Sequence, residues 1–242
     1  MRRGMQPAHY NQLEVSLYQL EAMADLVEKA VAGVMSAFAT LDTVEASIIM
    51  ENDKSINSFE IDIDNSTYNV FAVSTENIPS GLLRKILSIQ KINPILERIG
   101  DHATNIAEAI VRLGQGHYSG DDYAIAEMGA ACVELLHDAV HGFFAGDQLL
   151  AGEVLERDAG IDRMYDAITA AIKETMFVTA AELPFEAGFA LFGIAKDLER
   201  IADLSMNIAE ETLYVVEGAI VKHRQSVGTP LENGAGDRSV FK

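Results

Sequence analysis

The chain has 242 residues, 49% of them hydrophobic, which is apolar material enough for one large core or two small ones. Its 37 acids outnumber 18 bases, and the formal net charge of −19 disfavours non-specific binding to nucleic acid, whose phosphates would be repelled. Cys132 is the single cysteine, so no internal disulfide can form and a reducing compartment is expected.

The opening MRRGMQPAHYNQLEVSL has two arginines but no apolar run behind them, so no secretory leader is expected. Leu13, Leu17, Leu20, Ala24, Val27, Val31 and Phe38 recur at helical spacing and predict a long first helix. The longest apolar run, AVAGVMSAFATL (30–41), ends at Asp42 and falls short of the roughly 20 residues that cross a membrane. A soluble, cytoplasmic chain without an integral membrane segment is expected.

A second helix follows over 41–64, with Ile49, Ile56, Phe59 and Ile63 as its apolar stripe. Tyr68 and Val70 would suit a strand over 66–74, but a lone strand has nothing to pair with, so a helix end and a loop are predicted there. Pro79 and Ser80 mark the start of a third helix, 81–113, which stops at the Gly-rich LGQGHYSGDD (113–122). Three more helices are predicted, over 122–145, 147–177 and 184–222, the last opened by Pro184. VGTPLENGAGDRSVFK (227–242) lacks periodicity and is expected to be a mobile tail, as is the stretch before residue 9.

The two halves repeat one another. ENDKSIN (51–57) aligns with ERDAGID (156–162), an offset of 105 (156 against 51). ILERIGDHATNIAEAI (95–110) aligns with DLERIADLSMNIAEET (197–212), an offset of 102 (197 against 95). This predicts an all-α fold of two tandem antiparallel three-helix bundles related by internal duplication, over 10–116 and 120–226, with 227–242 as the tail.

On a helical wheel Leu96, Ile99, Ala103, Ile106 and Ile110 gather on one side of 95–110, with Glu97, Asp101 and Glu108 roughly opposite. An acidic outer face on one helix is ordinarily just solvated. The duplication alters that weighing. Nine of the sixteen positions are identical between the copies, and five of them, Glu97, Arg98, Asp101, Asn105 and Glu108, are outer positions that packing does not constrain. Glu97 and Asp101 stand one turn apart, where like charges destabilise a helix unless a cation lies between them.

Asp53, Asn57 and Glu60 form one stripe on the second helix, as Asp158, Asp162 and Asp166 do on the fifth. Antiparallel neighbours would bring Asp53 and Asn57 toward Glu97 and Asp101, and Asp158 and Asp162 toward Glu199 and Asp203. Such oxygen-rich clusters suit Mg²⁺, Ca²⁺, Mn²⁺ or iron.

The pair LERIGDHATNIAEAI and LERIADLSMNIAEETLYVVEGAIVKHR resembles the paired signatures of the PhoU family, and the likeness runs over about residues 10–226. The resemblance implies two three-helix bundles with pseudo-twofold symmetry. It also implies metal clusters whose ligands carry over to Asp53, Asn57, Glu97, Asp101, Asp158, Asp162, Glu199 and Asp203. The cation stays open among iron, Mg, Mn, Ca and Zn. The implied role is a cytoplasmic regulator at the inner face of the membrane. It would act on a Pst-type phosphate ABC transporter and a sensor histidine kinase, and restrain the phosphate-starvation response. A homodimer is expected.

Some positions depart from the family pattern. PSGLLRK (79–85) lacks the Asp that often opens the third helix, and Lys196 stands where an Arg is common, so the planar bidentate donor is lost. Pro94, three residues before Glu97, predicts either a restarted helix capped by Asn93 or a bend above the first cluster, and the second half has no equivalent proline.

ELLH (134–137) is half of a ferritin-like di-iron motif, but it occurs once where such a site needs it twice. His102, beside Asp101, reads as an exposed surface histidine in preference to an extra metal ligand, and Cys132 as buried and inert. The chain shows no phosphate loop, nucleophile elbow or paired base and nucleophile, so an enzyme is not expected. The alternative to a metal-bearing regulator is a helical scaffold whose acidic faces dock another partner, such as a sodium–phosphate cotransporter, with metal incidental.

Overall fold

The computed structural model describes residues 8–72, 78–115, 123–178 and 183–217. These form six helices: α1 (Ala8–Thr40), α2 (Thr43–Ala72), α3 (Ser80–Gln115), α4 (Ile125–Ala145), α5 (Gln148–Val178) and α6 (Phe185–Glu217). No strand occurs among the described residues. Helices α1–α3 pack on one another as one bundle and α4–α6 as a second, and the bundles join through α3 against α6 and α1 against α4. Helices α2 and α5 therefore lie on the outside, each beside the helix that carries a repeated signature.

The first corner of each bundle is built alike. Asp42 caps α2, its Oδ1 accepting from the Val44 and Glu45 amides at 2.9 and 3.0 Å. Asp147 caps α5, accepting from Leu149 and Leu150 at 3.0 and 3.2 Å. Each satisfies amides that a helix start leaves without intrahelical partners. The residue before each aspartate is left-handed: Gly146 at φ 65° and, in the first half, Leu41 at φ 52°. That conformation is free for glycine and strained for leucine.

The apolar stripes fill the cores. Leu96, Ile99, Ile106 and Ala107 are buried, as are their equivalents Leu198, Ile201, Ile208 and Ala209. Cys132 is buried too, and its thiol donates to the Leu198 carbonyl at 3.4 Å.

Three expectations need correction. Residues 66–72 continue α2 to Ala72 instead of forming a loop, because Ser66, Thr67 and Val70 are buried on the bundle's inner side; residues 73–74 lie outside the described ones. Second, α3 passes through Pro94 without restarting. Asn93 does not cap it; the fully buried side chain crosses to α2, where Nδ2 donates to the Glu60 carbonyl at 2.9 Å and to Asp64 Oδ1 at 3.0 Å. Third, His102 is not a surface histidine, for reasons given below. The predicted reach of α6 beyond Glu217 and both terminal tails fall outside the described residues.

Candidate functional site

The outer positions of the repeated stretch face away from the cores, as the wheel predicts: Arg98, Asp101, Asn105 and Glu108 are exposed and Glu97 is half-buried. Across from them, α2 presents Asp53 and Asn57, both half-buried. Asn57 Nδ2 donates to Asp53 Oδ2 at 3.0 Å, one turn along the helix. The other two oxygens of this pair, Asp53 Oδ1 and Asn57 Oδ1, are buried without a hydrogen-bond partner. Orphaned acceptors of this kind are costly and call for an explanation.

Gly100 sets the close approach of α2 and α3. A Cβ there would stand 2.9 Å from Ile56 Cδ1 and 3.7 Å from Asp53 Oδ1. Asp53 thus lies against the helix that carries Glu97 and Asp101, and the acids act on one another. Burial, then the charges of Asp101, Glu60 and Asp53, push the Glu97 carboxyl above its ordinary range. Burial and then Asp53 push Asp101 up as well, against the pull of His102 and Arg98.

The second bundle repeats the arrangement. Burial, followed by Asp162 and Asp203, raises Asp158. Burial, followed by Asp203 and, less strongly, Asp162, raises Glu199, with Arg200 and Lys196 pulling it down. Arg200 folds onto this cluster: Nη1 donates to Asp203 Oδ2 at 2.9 Å and Nε stands 3.4 Å from Glu199 Oε2. The eight residues expected from the sequence are therefore gathered as two groups of four. Among the described residues no three Asp, Glu, His or Cys side chains already stand at metal-holding separations, so closing on a cation requires side-chain rotation. The donor set, all oxygen with two buried orphan acceptors, fits a hard divalent cation in the first cluster.

Sequence reasoning left Glu60 outside the ligand set, although it shares the stripe of Asp53 and Asn57; its charge reaches Glu97. Asp166, in the analogous stripe of α5, is exposed. His102 is the larger miss. Its Nδ1 lies 2.8 Å from Asp197 Oδ1, and each side chain is only 19% exposed. It ties α3 to α6 across the bundle junction, a partner from the other half that no local pattern reveals. His137 of the ELLH stretch turns to Glu28 of α1 at 2.9 Å, and its ring stacks on His141.

The profile of the PhoU domain matches residues 20–110 and again 125–212, most of both bundles. A phosphate-specific transport system accessory protein PhoU homolog of a Burkholderia species is 32% identical over 219 residues, covering 87% of this chain and 89% of the relative. The protein of the same name from Aquifex aeolicus is 31% identical over 216 residues, covering 89% and 96%. The crystal structure of PhoU from Pseudomonas aeruginosa superposes with a TM-score of 0.82 at 29% identity, over 87% of this chain and 99% of that one. The phosphate transport system regulatory protein PhoU from Streptococcus pneumoniae gives 0.79 at 25% identity, over 88% and 99%.

Proposed function

Because the chain belongs to the PhoU family, we propose that it is an accessory regulator of phosphate uptake that acts from the cytoplasmic side on a Pst-type transporter and a sensor histidine kinase. It binds divalent cations at its two carboxylate clusters, and as a homodimer it restrains the phosphate-starvation response when phosphate is plentiful. The observation that carries this reading is the match of both halves to one family whose relatives are named as accessory proteins of phosphate-specific transport. No helix among the described residues is long and apolar enough to cross a membrane, which suits docking onto membrane-held partners.

The acidic faces supply the docking chemistry. Asp53, Asn57, Glu97 and Asp101 hold one cation site, and Asp158, Asp162, Glu199 and Asp203 the other. A bound cation would supply countercharge to carboxylates that otherwise repel one another. With a net charge of −19 the chain is repelled by anionic headgroups, so it docks through proteins and not lipid.

The test is a deletion strain grown in high phosphate with a phosphate-starvation reporter. The intact gene should silence the reporter. A variant neutralised at Glu97, Asp101, Glu199 and Asp203 should silence it less. A reporter that stays fully on while the intact protein is present and folded overturns the regulatory reading. Separately, Asp101→Ala with Asp203→Ala should strip most metal from protein purified without chelator, while far-UV circular dichroism stays helical. Unchanged metal content defeats the ligand assignment.

A further inference from the structure

The two clusters stand at equivalent positions but are not hydrogen-bonded alike. From this we infer that the first, Asp53–Asn57–Glu97–Asp101, takes up a divalent cation before the second, where the Arg200 guanidinium already occupies the cation's role. The inference rests on the metal-binding reading above and adds to it an order of loading.

Arg200 bridges the two α6 acids, 2.9 Å from Asp203 and within 3.4 Å of Glu199. Its equivalent in the first half, Arg98 (98 against 200, the same offset of 102), makes no ion pair or hydrogen bond among the described residues. The difference is written into the sequence around it. Lys196, whose charge reaches Glu199, replaces Pro94 of the first half. Tyr165 replaces Glu60, whose charge reaches Glu97. Each cluster has two basic neighbours, Arg98 and His102 in the first and Arg200 and Lys196 in the second, and Glu60 beside the first is offset by Asp162, a carboxylate where the first has Asn57, so what separates the two is how Arg200 is placed.

The buried acceptors add to this difference. The orphaned buried acceptors, Asp53 Oδ1 and Asn57 Oδ1, both belong to the first cluster. The second has none among the described residues. A cation entering the first site satisfies oxygens that have no donor. A cation entering the second must first displace a charge-assisted hydrogen bond. Arg200 is about half exposed, with a side-chain exposure of 47%, so it can swing out into water and the second site is weakened, not closed. The second cluster then becomes a graded site, filled only at cation levels that already saturate the first.

The experiment is a Mn²⁺ titration of the full chain after chelator treatment, with free Mn²⁺ read from its paramagnetic resonance signal. Two classes of site are expected, separated by roughly tenfold or more in Kd, the scale of one charge-assisted hydrogen bond. Glu97→Gln with Asp101→Asn should remove the tight class. Glu199→Gln with Asp203→Asn should remove the weak one. Arg200→Gln should tighten the weak class by roughly tenfold and leave the tight class in place, whereas Arg200→Lys, which keeps the charge, should tighten it less. Circular dichroism confirms that each variant is folded. Equal affinities at the two clusters, or a weak class unmoved by Arg200→Gln, overturn the inference while leaving metal binding intact. Failure of the wild-type chain to bind any Mn²⁺ overturns both this inference and the metal reading beneath it.

Discussion

The acids of the two clusters are held where they repel one another, and the folded state carries that penalty at neutral pH. Glu97, Asp101, Asp158 and Glu199 all have carboxyl groups raised above their ordinary range by burial first and neighbouring charge second. A raised folded-state value means that the native chain holds protons more tightly than the unfolded chain. The penalty is therefore full above the raised values and is relieved as pH falls through them toward the unfolded values. The metal-free protein should melt at a higher temperature as pH is lowered from neutral into the upper carboxylate range. A variant with Glu97→Gln, Asp101→Asn, Glu199→Gln and Asp203→Asn should show a smaller rise. A calorimetric series on both proteins checks this, and saturating divalent cation should flatten the wild-type curve. At the same scale, burial pushes the Cys132 thiol up to about 12. With so little thiolate at pH 8, native protein should resist alkylation and react only on unfolding, which a timed iodoacetamide reaction in and out of denaturant measures. These residues were legible to different degrees. The meeting of Asp53 with Glu97 and Asp101, and of Asp158 with Asp203, was readable because duplication preserved outer acids and the helix stripes placed their neighbours. His102 was not, since its partner Asp197 lies 95 positions away in the other bundle.

Elements were legible where periodicity or capping chemistry marked them. All six helices follow from apolar spacing and breakers. The exception was the end of α2, where Ser66, Thr67, Tyr68 and Asn69 look like a loop. Tertiary packing overrides that local preference. Ser66 Oγ pairs with Ser16 Oγ of α1 at 2.8 Å, and Thr67 Oγ1 bonds back to the Ile63 carbonyl at 2.8 Å, so the polar side chains are satisfied inside the bundle. Pro94 was ambiguous for a similar reason. The side chain that could have capped a break, Asn93, is instead spent on α2. The paired corners permit a quantitative test. Asp42→Ala and Asp147→Ala each remove a side chain that accepts two helix-start amides, and each should cost about 1 kcal/mol. The corners lie in different bundles with no shared partner, so the double variant should lose the sum. Urea denaturation of the two single variants and the double variant decides it, and a loss confined to one corner would contradict the equivalence of the two turns.

The whole molecule is less symmetric than its sequence repeat. Helices α3 and α6 cross antiparallel at the junction, so each contact has a counterpart under the internal twofold. On one side Lys91 of α3 meets Glu211 of α6 at 3.0 Å, Ser88 Oγ donates to the same carboxylate at 3.2 Å, and the Lys91 ammonium lies 4.5 Å from the centre of the Tyr214 ring. On the other side the equivalents of Lys91 and Glu211 are Gly193 and Ala109, with no charge at all. The Lys91–Glu211 pair therefore fastens one side only, beside the His102–Asp197 contact, and its partners differ in exposure: the Glu211 side chain is 3% exposed and that of Lys91 is 46%. This difference decides which deletion does more harm. Glu211→Gln takes the charge from the buried partner and leaves an ammonium that water can solvate, so it should cost about 1 kcal/mol. Lys91→Met takes a cation from a buried carboxylate, which loses a charge-assisted hydrogen bond inside the protein, and should cost roughly 2 kcal/mol. Combining the two should cost less than their sum, because both single variants break the same pair. Chemical denaturation of the three variants measures the cycle. A larger loss in Glu211→Gln than in Lys91→Met, or strict additivity, would show that the pair is a solvated surface contact and not a fastening between the bundles.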